Sequence, residues 1–142
     1  MSDQNRLLCR ELSLLAFNRR VLAQAQDARV PLLERLRFLC IVSSNLDEFF
    51  EVRMAWLKRE QKLRPNSRLD NGKTPAETIA AVSAEAHAII QEQYALFNDE
   101  LQPALSREGI HFYRRRNWTP AQRAWIERYF DCELLPILTP IG

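Results

Sequence analysis

Apolar residues recur along this chain at three- and four-residue intervals, in blocks of helix length. Leu14, Leu15, Phe17, Val21, Leu22 and Ala25 share one arc. That arc predicts a helix from about Ser13 to Gln26 with Ser13 as its N-cap. Asn18 falls inside the arc, and a polar group there needs a buried hydrogen-bond partner. Pro31 suits the first position of a second helix, because its missing N–H would be unpaired there anyway. Leu32, Leu36, Leu39 and Cys40 form the stripe of this helix, while Phe38, Ile41 and Val42 cover other faces. A helix apolar on so many sides is buried on most of them, which places residues 37–42 at the centre of the domain.

Ser43-Ser44-Asn45 then reads as a polar break. Asn45 with Glu48, or Ser44 with Asp47, has capping-box spacing, so a third helix is expected from about Leu46 to Leu63. Leu46, Phe49, Phe50, Met54, Trp56 and Leu57 form its apolar arc. Asp47, Glu48, Glu51, Lys58 and Arg59 take the opposite side as a solvated charged face. Arg53 projects from the middle of the apolar arc. A guanidinium there requires a salt bridge or carbonyl clamp within the bundle; the alternative is an anion contact near Asn45.

Residues 64–74 are a loop by composition. Thr74-Pro75-Ala76-Glu77 combines a capping Thr, Pro at the first position and Glu at the third. It opens a long helix with Ile79, Val82, Ala86, Ile89, Ile90, Phe97 and Leu101 in a stripe. Pro103 is expected to kink or end that helix, and Gly109 suits its stop. Residues 110–113 suit a short extended piece. Thr119-Pro120-Ala121-Gln122 repeats the start signal for a last helix over about Pro120 to Leu134, with Trp125, Tyr129 and Cys132 on one side. The pattern predicts an all-α fold: an antiparallel up-down bundle of four to five helices, including one long helix. Residues 1–134 form the domain, and the apolar, twice proline-broken stretch 135–142 begins the connection to a further domain.

Composition narrows the chemistry. The 142 residues fit one domain, and 20 basic against 18 acidic residues give a net charge of +2. That balance argues against a nucleic-acid binder, and Arg114-Arg115-Arg116 reads as a solvated loop. Cys9, Cys40 and Cys132 match neither a disulfide framework nor a zinc pattern, so reduced, buried thiols are expected. His87 and His111 stand apart from any metal-ligand spacing, and the 3 glycines cannot build a phosphate loop. A polar N-terminal stretch without signal-peptide order and the lack of a long apolar run place the chain in the cytoplasm, at most at the membrane periphery.

The blocks Glu11-Leu12-Ser13-Leu14-Leu15-Ala16-Phe17-Asn18, residues 31–39, and Ser43-Ser44-Asn45-Leu46-Asp47-Glu48-Phe49-Phe50-Glu51-Val52-Arg53 are together specific. The sequence resembles the N-terminal domain of the bacterial polyphosphate kinase family, sharply from residue 11 to about 59 and again at residues 135–140. It departs from the family in carrying Leu14 where Trp is usual, a change of packing. The resemblance implies a role in an enzyme that builds polyphosphate from ATP through a phosphohistidine. It also implies that the phosphohistidine and the magnesium sites lie in later domains, which would be partners within the same polypeptide. It assigns one nucleotide contact to this region, Asn45, with Arg53 as a neighbouring candidate, and implies a homo-oligomeric enzyme. By the same implication the isolated domain is inactive. A helical docking module without any ligand contact is the alternative function.

Overall fold

The computed structural model describes residues 9–139; the polar stretch 1–5 and the last three residues of the expected connection lie outside them. Every regular element among the described residues is helical. The chain divides into two compact units, Met1–Glu108 and Gly109–Gly142.

Among the described residues the first unit consists of three rods. Helix α1 spans Arg10–Gln26. The second rod runs without interruption through α2 (Leu32–Glu48), a π-helical turn (Phe49–Met54) and α3 (Ala55–Leu63). The third runs through α4 (Pro75–Ala95), a second π turn (Leu96–Leu101) and α5 (Gln102–Arg107). Partner pairs give the directions. Asn18 meets Val42 while Ala25 meets Arg35, so α1 and α2 are antiparallel. Ser43 meets Gln93 while Arg35 meets Glu100, so the second and third rods are antiparallel as well.

Leu15, Leu22, Leu39, Val42, Leu46, Leu57, Val82, Ala86, Ile89 and Leu101 fill the space between the rods. Arg35 is buried with them. Its Nε–H donates to the Ala25 carbonyl at 2.7 Å and Nη2 pairs with Glu100 at 2.9 Å. The Ala25 carbonyl belongs to the last turn of α1, where backbone acceptors lack helical partners. No basic residue of α1 itself serves that turn, so Arg35 caps it from the neighbouring rod.

Three boundaries differ from the sequence expectation. Ser13 is not the N-cap of α1; the helix begins at Arg10, and the Ser13 hydroxyl donates to the Cys9 carbonyl at 2.9 Å, one turn back. Ser43-Ser44-Asn45 is not a break. Serine and asparagine inside a helix each cost only about 0.5 kcal/mol relative to alanine, too little to interrupt a rod whose inner face carries Leu39, Val42, Leu46 and Phe49. Asn45 is therefore an interior helical residue with no capping role. Pro103 does not end the third rod, because the wider turn just before it relieves the crowding between its ring and the preceding carbonyls. The rod stops at Arg107, and Gly109 adopts φ +80°, the left-handed conformation expected just past a helix end. The box at Thr74 forms as expected: its hydroxyl accepts from the Glu77 N–H, and Glu77 accepts from the Thr74 N–H at 2.8 Å.

The second unit holds α6 (Pro120–Tyr129), opened by the expected Thr119–Gln122 box and extended by a third π turn (Phe130–Leu134). Trp125 and Tyr129 stack with ring centroids 5.3 Å apart. Residues 110–113 form no strand, and no described residue of this unit is buried. The units separate between Glu108 and Gly109, whereas the expected limit at residue 134 falls at the end of the last π turn. No helix among the described residues is long and apolar enough to cross a membrane.

Candidate functional site

The site is built where α1 crosses the second rod. Asn18 is almost wholly buried, and its Nδ2 donates to the Val42 carbonyl at 3.2 Å. This is the partner its place in the apolar arc demanded. Its Oδ1 accepts from Asn45 Nδ2 at 3.1 Å. Asn45, half-buried, lines a cleft of 210 Å³; one of its amide N–H bonds is thus engaged, and its Oδ1 has no partner among the described residues. Leu14 and Phe17 of α1 and Phe49 and Val52 of the second rod supply most of the apolar wall; Glu48 and Arg53 supply the polar rim. Phe17 is 51% exposed, an aromatic ring left in solvent at the cleft. Arg20 lies 5.6 Å from the centre of that ring.

Arg53 does not sit in the core. On a continuous α-helix the residue one turn beyond the buried Phe49 would be Arg53, four positions on. The observed buried series is Leu46, Phe49, Met54, Leu57. A π turn takes about one residue more than an α turn, and that residue carries Met54 into the core and moves Arg53 to its half-buried edge. The intramolecular salt bridge or carbonyl clamp expected for Arg53 is absent among the described residues. Arg53 lines both the Asn45 cleft and a second cavity of 520 Å³. That second cavity also carries Arg10, Arg64 and Arg68 against Glu11, Glu60 and Asp70, a mixed lining with little net field.

Other candidates separate from the site. Asp47, Glu48 and Glu51 are exposed, and Glu48 alone reaches the cleft. His87 is exposed, with Nδ1 2.6 Å from the Ser83 carbonyl. Arg114, Arg115 and Arg116 are solvated. The cysteines are free, but Cys40 and Cys132 are exposed and Cys9 is partly so, which corrects the expectation of burial. Cys40 falls on the outer side of α2 because Arg35, Leu39, Val42 and Leu46 form the inward stripe. Among the described residues no three His, Cys, Asp or Glu side chains are gathered as a metal site. Sequence reasoning missed Arg35 altogether. Its signal was its place at the head of the stripe 35, 39, 42, 46, where a charge stands in a row of apolar positions.

Residues 7–113 match the family model described as the polyphosphate kinase N-terminal domain. A polyphosphate kinase of Neisseria meningitidis serogroup A is 78% identical over 142 residues, covering 100% of this chain and 21% of that protein. A polyphosphate kinase of Burkholderia multivorans is 50% identical over the same share of each. The crystal structure of polyphosphate kinase from Porphyromonas gingivalis superposes with a TM-score of 0.73 at 30% identity, over 94% of this chain and 19% of that one. The chain thus spans 21% of the length of the curated relatives it matches.

Proposed function

Because this chain belongs to the polyphosphate kinase N-terminal domain family, we propose that it supplies an adenine-binding wall to an enzyme that transfers the terminal phosphate of ATP to polyphosphate. One observation carries the reading. The amide oxygen of Asn45 has no partner among the described residues, and Asn45 lines a cleft walled by Leu14, Phe17 and Val52. A purine needs apolar contact for its faces and a matched polar group for its edge. The size of the cleft agrees. At 210 Å³ it falls below the roughly 300–1,000 Å³ of a site that encloses a drug-sized ligand. It suits a base, with ribose and phosphates lying beyond it. Arg53, at the rim without an ion-pair partner among the described residues, is the group on this chain best placed to meet negative charge leaving the cleft.

On this reading the phosphohistidine and magnesium belong to the rest of the polypeptide, and the whole enzyme is a cytoplasmic oligomer. The residues here bind and orient; they do not act on the transferred phosphoryl group. In the full-length kinase, Asn45→Ala is expected to raise KM for ATP about three- to tenfold, the range of one lost hydrogen bond, with kcat little changed. An unchanged KM would remove Asn45 from the site.

A second reading, a docking module, is favoured by the second unit. Trp125, Tyr129, Phe130, Leu135, Ile137 and Leu138 are all exposed, an apolar surface of the kind that marks contact with further protein. The two readings are compatible: the first unit carries the nucleotide contact, and the second unit docks against other parts of the full-length enzyme.

A further inference from the structure

We infer that Asn18 is a specificity-determining positioning residue. By fixing the orientation of the Asn45 amide, it makes the cleft select a 6-amino purine nucleotide over a 6-oxo one. The inference rests on the reading of Asn45 as the nucleobase contact.

The relay starts at a backbone carbonyl. The Val42 oxygen can only accept, so Asn18 must turn its NH₂ toward it, as the 3.2 Å contact shows. That leaves Asn18 Oδ1, an acceptor, pointing at Asn45. Asn45 must then present its own NH₂, at 3.1 Å. The polarity set at Val42 is passed through two amides. It turns Asn45 Oδ1 away from Asn18 and leaves it the unpartnered acceptor of a residue that lines the cleft. An isolated asparagine can flip and serve either edge of a base. This one cannot flip without setting oxygen against oxygen, with Asn18 held in the core. The remaining polar groups of the cleft, Glu48 and Arg53, sit on flexible side chains that are exposed or half-buried and impose no fixed preference.

A fixed acceptor takes a donor. Adenine offers one in its exocyclic amine, whereas hypoxanthine and guanine offer a carbonyl oxygen at the same ring position. A site built to receive an N–H rejects an analogue that lacks it, because the acceptor is then buried unpaired. An asparagine amide has a donor half and an acceptor half. The relay takes up one of its two N–H bonds and fixes the place of the oxygen, which has no partner among the described residues.

The test measures KM or Kd for ATP, purine riboside triphosphate and ITP with the full-length kinase. The wild type should bind purine riboside triphosphate about three- to tenfold more weakly than ATP, and ITP more weakly still. Asn45→Ala should bring the three nucleotides level. Asn18→Leu, which frees the Asn45 amide to turn, should abolish the preference for ATP over ITP. Asn18→Asp keeps an acceptor toward Asn45 Nδ2 and should retain that preference even where its melting temperature falls. A merely structural Asn18 would lower the melting temperature in both variants and leave the ATP-to-ITP ratio untouched. If Asn45→Ala fails to affect ATP, the reading of the nucleobase site is wrong. If Asn45→Ala weakens ATP but Asn18→Leu keeps the wild-type ratio, only the relay is wrong. Should Asn18→Leu not fold, the wild-type series still decides: equal affinity for ATP and ITP overturns the inference.

Discussion

Asn45 shows how a residue's role depends on its partner more than on its position in a motif. Its spacing to Glu48 reads as a cap, yet the residue lies inside a helix and is tied to Asn18. Substituting Asn45→Asp, harmless at a true N-cap, here sets a carboxylate against the Asn18 oxygen, so alanine is the cleaner probe. Arg35 carries a sharper energetic consequence. Its guanidinium serves a carbonyl and a carboxylate from within the core, and hydrogen bonds to charged groups contribute about 1.5–3 kcal/mol. Arg35→Ala is expected to lower the unfolding free energy by about that amount, read by urea denaturation. Arg35→Lys should recover less than half of the loss, since one ammonium cannot span both acceptors. Glu100→Gln should cost under about 1 kcal/mol, because Glu100 remains largely in water. Of this site, the sequence pattern disclosed that Asn18 needed a partner and that Arg53 was out of place. It could not disclose which carbonyl Asn18 would find, because that pairing joins residues 24 positions apart.

At the level of elements, start signals were legible and interior signals were not. Thr74 and Thr119 open their helices with both halves of the box in place, since a cap involves only four consecutive residues. Whether Ser43-Ser44-Asn45 breaks a helix is settled instead by what packs on the other face. The turn after α1 also makes a pH-dependent contribution. Asp27 accepts from the guanidinium of Arg29 at 2.7 Å and from its backbone N–H at 2.9 Å. These bonds hold its carboxyl at about 2, below its ordinary 3.8. A depressed folded pKa stabilises the fold above the unfolded value, and the contribution is lost as pH falls through the folded one. Unfolding free energy should therefore decline between pH 3.8 and about 2, and Asp27→Asn should flatten that part of the curve. The carboxyl of Glu77 is likewise held low, by the backbone N–H of Thr74 and then by its hydroxyl, so its contribution also fades in acid.

For the whole molecule, the all-helical class followed from periodicity, but the division of the chain did not. Trp125 and Tyr129 repeat at helical spacing as core residues do, yet their unit buries none of them; periodicity reports a face and not what covers it. A chain ended at Glu108 is expected to keep the unfolding midpoint of the longer one, because every buried core residue among the described residues lies before that position. A drop of more than a few degrees would show that residues 109 onward help to hold the first unit. The two π turns, one in each long rod, bear on how such a chain tolerates changes in its own length. In an α-helix, removing one residue rotates everything downstream by about 100° and turns the core face outward. Within residues 49–54 the spacing of five between the buried Phe49 and Met54 already holds one residue more than an α turn needs. Deleting Glu51 should close that turn to ordinary α geometry and leave Leu46 and Leu57 facing inward, with only a modest fall in melting temperature. Deleting the equally exposed Ala84, where α4 has no such slack, should unfold the domain. Residues 49–54 and 96–101 are thus the places where a gene of this kind can lose a codon from the middle of a helix and still encode the fold.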